Sequence, residues 1–164
     1  MNRDSDQAHD MNRKTSIITF GLLAIIGLSV LGYQHYTQAV EGKYFREWHS
    51  LRTDSFKEVR RNFSPLDDMA KERISFQPEL IKKYSANLAK ATQPLPVQFE
   101  PKAPWGDANA SIWNEGSEFQ SMMKEFVATT QQLSAEPSAD LESLQETLHT
   151  LRNQCIACHK KYKD

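Results

Sequence analysis

Hydrophobic positions between Phe45 and Tyr162 recur at steps of three and four, which is the period of an amphipathic helix and not the alternation of a strand. The first stripe runs Phe45, Trp48, Arg52, Ser55/Phe56, Val59, Phe63, Leu66 and Ala70, with Pro65 inside it. An interior proline removes one backbone hydrogen bond, so a kink is expected there. A second helix starts near Gln77, with Pro78 suited to the first helical position, and carries Ile81, Tyr84, Leu88 and Ala91. Pro94, Pro96, Pro101 and Pro104 crowd the stretch from Thr92 to Ala108, which reads as an irregular crossover. A third helix carries Ile112, Phe119, Met122/Met123, Phe126 and Leu133. After Pro137, Ser138 or Asp140 can cap a fourth, whose stripe is Leu141, Leu144, Leu148, Leu151, Cys155, Cys158 and Tyr162. No segment alternates convincingly as a strand, and there is no repeat. The pattern predicts an all-α fold, an antiparallel four-helix bundle whose Phe, Leu and Met residues mostly fill the core.

The N-terminal part is patterned differently. From Ser16 to Tyr33 no residue is charged, and Arg13 and Lys14 precede the run. That is just long enough to cross a bilayer core of about 30 Å. The excess of positive charge before it places the N-terminus in the cytoplasm, with Tyr33 and Tyr36 at the outer interface. The expected organisation is a cytoplasmic tail over 1–15, a transmembrane anchor over 16–36 and a helical-bundle domain over 44–164. The domain would lie on the periplasmic side of a bacterial inner membrane. A cleaved signal peptide is the alternative, with Thr37-Gln38-Ala39 as a weak cleavage site. Either way the domain is exported.

Composition narrows the function. The chain has 164 residues, with Lys plus Arg at 20, Asp plus Glu at 21 and a formal net charge of -1. That balance offers no electrostatic reason for nucleic-acid binding. Its 2 cysteines are too few for a disulfide scaffold or a four-cysteine metal site. They stand in the run Cys155-Ile156-Ala157-Cys158-His159, the attachment pattern of haem c. Each thiol adds to one haem vinyl group, and His159 then lies where it can supply the axial nitrogen to iron. A thioredoxin-like pair needs a strand–helix context that is absent here. A zinc half-site lacks further ligands, and a plain disulfide gives no role to His159. One covalently attached haem c is the expected cofactor.

With that motif on its last helix, the chain from Phe45 to Lys163 resembles the cytochrome c′ family, the class II c-type cytochromes, which are themselves antiparallel four-helix bundles. The motif continues Lys160-Lys161-Tyr162-Lys163, with Tyr162 as the closing aromatic and Lys163 where the family carries Arg. Ile112-Trp113 followed by Phe119 resembles the family's third helix, and Gln98-Phe99-Glu100-Pro101 its crossover. In the family, an Arg of the first helix approaches a haem propionate, and the residue four positions later faces the distal side of the iron. Counting back from Ile74-Ser75-Phe76, the resemblance assigns these roles to Arg52 and Phe56, and places Trp113 in the haem pocket. A register on Arg60 or Arg61 would instead put Ser64 or Pro65 over the iron.

Members with Met at the distal position are six-coordinate and transfer electrons. Phe has no lone pair to offer iron, so Phe56 implies a five-coordinate haem in an apolar pocket that takes NO or CO. The resemblance then implies NO buffering or carriage by a non-enzymatic protein. The alternative is a six-coordinate electron carrier that feeds a membrane-linked respiratory chain through a redox partner. A haem peroxidase would need a distal acid/base that the stripe around Phe56 does not supply. His49 is the rival ligand on the first helix, while His149 and Met69 lie too far along their helices. The family often pairs its first two helices in homodimers, for which Tyr44 or Trp48 are candidates here.

Overall fold

The computed structural model describes residues 21–114 and 116–164. The chain divides into two compact units, Met1–Gln38 and Ala39–Asp164. In the first, residues 21–36 are helical, and the Thr37 hydroxyl donates to the Tyr33 carbonyl at 3.0 Å. Sixteen helical residues rise about 24 Å. No helix among the described residues is long and apolar enough to cross a membrane, and positions 16–20 of the expected anchor lie outside those residues.

The second unit begins with an element that the hydrophobic pattern does not signal. Strands β1 (Ala39–Val40) and β2 (Lys43–Tyr44) pair antiparallel, contrary to the expectation of no strand. Two-residue strands are too short to show an alternation. Glu41 and Gly42 between them have φ of 51° and 72°, the two positive values that a tight hairpin turn requires. Trp48 ties this hairpin to the next helix, its indole N–H donating to the Val40 carbonyl at 3.1 Å.

The helices of this unit are α1 (Phe45–Ala70), α2 (Pro78–Thr92), α3 (Leu95–Gln98), α4 (Ser111–Asn114), α5 (Gly116–Ala135) and α6 (Leu141–Tyr162). The four long ones close a ring in which α1 packs on α2, α2 on α5, α5 on α6 and α6 on α1. Pro65 does not end α1. It costs that helix one hydrogen bond in its penultimate turns, while the buried Leu66, Met69 and Ala70 beyond it keep the chain on the core. Pro78 opens α2 as expected. Asp140 caps α6, accepting the Ser143 amide at 2.8 Å.

The crossover is more ordered than its prolines imply, since it contains α3. Ile112 lies in α4, the helical turn directly before α5 in the chain, and the Asn109 side chain accepts the Ser111 amide at 3.0 Å at its start. Leu66, Met69, Ile81, Leu88, Leu95, Leu144, Leu148 and Leu151 are wholly buried. The stripe positions are thus core.

Polar pairs fix how the helices meet. The Thr92 and Thr130 hydroxyls bond at 2.7 Å between α2 and α5. Asp67 of α1 holds Arg152 of α6 at 2.5 Å and Lys71 at 2.6 Å. Burial would raise the Asp67 carboxyl, but the hydrogen bonds and charges of Lys71 and Arg152 outweigh it and hold it below its ordinary 3.8. A depressed carboxyl stabilises the fold above its unfolded-state pKa and loses that contribution as pH falls through the folded-state value. Asp67→Asn should therefore cost about 1.5–3 kcal/mol near neutrality. In thermal melts the gap to wild type should stay constant between about pH 5 and 7 and narrow below about pH 4.

Candidate functional site

Helix α6 presents Cys155 and Cys158 one turn apart, both free thiols and both half-buried against the bundle core. Burial pushes both thiols up, and Cys158, which also feels the charge on Cys155, is raised to about 11. Thiols that stay protonated at neutral pH lack the thiolate character of a redox pair. Among the described residues no group of three or more His, Cys, Asp or Glu side chains could hold a metal ion. His159 follows on the exposed flank of the same helix. Burial, then the charge of Lys163, lowers its pKa, which favours the neutral imidazole with a free lone pair.

The end of α6 is clasped by the crossover. Asn109 donates its backbone N–H to the Tyr162 carbonyl at 3.2 Å and its side-chain amide to the Lys161 carbonyl at 3.2 Å. The Asp164 amide donates to the Asp107 carbonyl at 3.0 Å, and Lys163 pairs with the Asp107 carboxylate at 3.4 Å. Lys163 is thus committed to the crossover. Gly106, just before the clasp, has φ +68°, and a Cβ there would lie 2.3 Å from Cε1 of His49. His49, the rival ligand, packs its imidazole against that glycine. His149 is exposed, beside Asn153, and Met69 lies wholly inside the core.

Arg52 is 3% exposed. Its Nε donates to the Gln98 carbonyl at 2.9 Å, Nη1 to Ala103 at 2.8 Å and Nη2 to Pro101 at 3.2 Å. The guanidinium carbon lies 4.7 Å from the Phe99 ring centre and 5.3 Å from that of Trp113. Burial lowers its pKa to about 10, so it stays charged at neutral pH. Trp113 adds its own bond, from its indole N–H to the Phe99 carbonyl at 3.1 Å. Phe56 meets Phe99 edge-on at 6.3 Å. Phe99 then meets Phe119 in a tilted contact at 5.1 Å, and Phe119 meets Tyr162 edge-on at 5.1 Å.

The structure therefore brings Arg52, Phe56 and Trp113 together around one residue, Phe99, the first two at its ring and Trp113 at its carbonyl. Phe99 and Phe119 connect them to Tyr162 on α6, four residues beyond Cys158. Sequence reasoning met Phe99 only as part of a crossover motif and gave no site role to Phe119, Gln98 or Ser55. The aromatic after the proline-rich start of the crossover was the available signal. Two thiols on one helix face, a neutral imidazole beside them, an aromatic wall on the same core and a buried cation form a donor set that fits a covalently attached haem. Cys155 and Cys158 would hold it, with His159 as the iron ligand.

Comparison with known proteins agrees with this chemistry. A family model described as Cytochrome C′ matches residues 48–163. A cytochrome c-556 of Agrobacterium tumefaciens (strain apple 185) is 26% identical over 116 residues, covering 70% of this chain and 93% of the relative. Solved structures share the fold. A ferrous variant of cytochrome c prime from Alcaligenes xylosoxidans, with bound NO, superposes with a TM-score of 0.69 at 22% identity, over 76% of this chain and 99% of that one. Cytochrome c prime from Shewanella frigidimarina gives 0.69 at 23% identity, over 74% and 98%.

The clasp carries a test of its own. Gly106→Ala should destabilise the domain by about 1–3 kcal/mol, because an L side chain is strained at this φ and its Cβ strikes His49. Adding His49→Ala should recover part of the loss in thermal melts, since it removes the collision and leaves the backbone strain.

Proposed function

Because the chain belongs to the cytochrome c′ family, whose members bind one covalently attached haem c and serve as electron-transfer or gas-binding proteins and not as enzymes, we propose that it is a five-coordinate haem protein that binds NO and CO. Cys155 and Cys158 form the thioethers and His159 ligates the iron. Haem, once attached, supplies an iron able to take a small diatomic ligand. The chain's own residues decide which ligand enters.

The observation that carries this reading is Phe56. It lies half-buried on the core face of α1 with its ring edge on Phe99. A phenyl ring offers iron no lone pair and offers a bound diatomic no hydrogen bond. The pocket it lines therefore selects for neutral ligands that need no donor, and its bulk makes entry depend on ring displacement. Arg52 keeps two N–H groups beyond the three given to the crossover, and these face a propionate on this reading. Trp113 braces the same pocket from the crossover side.

The charge-free run Ser16–Tyr33 behind Arg13 and Lys14 supports tethering of the domain on the periplasmic side of a bacterial inner membrane. NO buffering or carriage at that surface is the proposed role, in line with the NO-bound state of the Alcaligenes relative.

Absorption spectra of the ferric and dithionite-reduced protein, before and after CO, test this. A high-spin reduced spectrum that CO converts is expected. A low-spin reduced spectrum that CO leaves unchanged would overturn the proposal in favour of a six-coordinate electron carrier. Phe56→Met should move the reduced spectrum toward low spin, because a thioether then stands where the ring stood.

A further inference from the structure

Ser55, the residue before Phe56, is held by a side chain from the crossover. Nε2 of Gln98 donates to Ser55 Oγ at 3.0 Å across 43 residues of sequence. The backbone carbonyl of the same Gln98 takes Arg52 Nε at 2.9 Å. The next residue, Phe99, supplies the ring that Phe56 meets edge-on at 6.3 Å. Two consecutive residues of the crossover thus grip two consecutive residues of α1, one pair by a hydrogen bond and the other by ring contact.

Oε1 of Gln98 is buried and has no hydrogen-bond partner among the described residues. An amide satisfied at one end and orphaned at the other adds little to stability. Its bond to Ser55 does restrain the α1 backbone beside Phe56, and with it the direction in which the ring can swing. Phe99 blocks one side of that swing. The ring centre is 6.3 Å from that of Phe99, a wider separation than the 5.1 Å of the tilted Phe99–Phe119 pair and of the edge-on Phe119–Tyr162 pair. Of the ring contacts along Phe56, Phe99, Phe119 and Tyr162, that of Phe56 is the widest, and the Gln98–Ser55 bond holds the residue beside it.

We propose that Gln98 is a positioning residue that latches Ser55 and so sets how readily Phe56 yields to an incoming diatomic ligand. The latch acts through Ser55 and does not touch the ligand. It rests on the five-coordinate reading of the site, with Phe56 as the ring to be displaced.

The test compares CO association rates of the reduced holoprotein for wild type, Gln98→Met, Ser55→Ala, the double variant and Ser55→Thr. Met keeps the length and volume of Gln98 while removing its donor, and Thr keeps the hydroxyl. Gln98→Met and Ser55→Ala should each speed CO binding by about threefold to tenfold, the span one neutral hydrogen bond can supply. The double variant should be no faster than either single one, because both remove the same bond. Ser55→Thr should stay at the wild-type rate. Melting temperatures should change little across the series, which separates a latch from a general loosening of the fold. Rates within twofold of wild type in both single variants, or effects that multiply in the double variant, would overturn the latch. If reduced wild type proves low-spin and ignores CO, the five-coordinate reading fails. The latch, which rests on that reading, then falls with it, whereas a CO-reactive wild type whose variants keep its rate overturns the latch alone.

Discussion

One buried cation organises the least regular part of this protein. Residues 93–110 include Pro94, Pro96, Pro101 and Pro104, none of which has an N–H to donate. Apart from the turn of α3, carbonyls there have few helical partners, and several must still enter the core. Arg52 answers three of them at once, from Gln98, Pro101 and Ala103. Desolvation of its charge is costly and draws its pKa down to about 10. The cost is offset because three carbonyl dipoles point at the guanidinium and two aromatic faces cover it. A lysine could not make three divergent bonds from one planar group. Everything at the candidate site that comes from the crossover takes its position from this staple, beginning with Phe99.

Phe99 turns that position into a wall. Its ring touches the Arg52 guanidinium, Phe56 and Phe119, and its carbonyl receives the Trp113 indole. Helix α1, the crossover and α5 therefore meet at one side chain, and Phe119 carries the contact on to Tyr162 of α6. Tyr162 is fixed in turn by Asn109, whose backbone N–H reaches its carbonyl. The crossover thus acts at both ends of the site, through the staple at Gln98–Ala103 and the clasp at Asp107–Asn109.

What could be read from the sequence follows from how local each feature is. The long helices were legible because each shows its own stripe. The haem attachment chemistry was legible because it needs two thiols and an imidazole within five consecutive residues. Arg52 and Phe56 fell on the stripe of α1, so their placement on the core was legible, while their roles came from resemblance. The hairpin at Ala39–Tyr44 escaped because two-residue strands have no period, although Glu41-Gly42 is a turn signal in hindsight. Phe99, Gln98 and Ser55 were illegible as site residues for a different reason. Their partners lie tens of residues away, and a three-carbonyl grip on Arg52 leaves no mark in the local pattern.

The two sides of the site are built with different stiffness. The helix that carries Cys155, Cys158 and His159 is capped at its start by Asp140, tied in its middle by Arg152 to Asp67, and clasped at its end by backbone bonds to residues 107–109. Backbone bonds of this kind hold both position and direction. The wall between α1 and the crossover is joined through side chains: the Arg52 staple on three carbonyls, a ring edge on Phe99 and one amide on a serine. A site so arranged holds its ligating residues fixed and leaves its tuning to a few side chains on α1 and the crossover. On the proposed reading, substitutions there would change ligand entry without disturbing the attachment helix. On the proposed gas-binding reading, ligand selectivity and fold stability would be separable properties of this chain, and the boundary between them would run along Arg52, whose staple belongs to both.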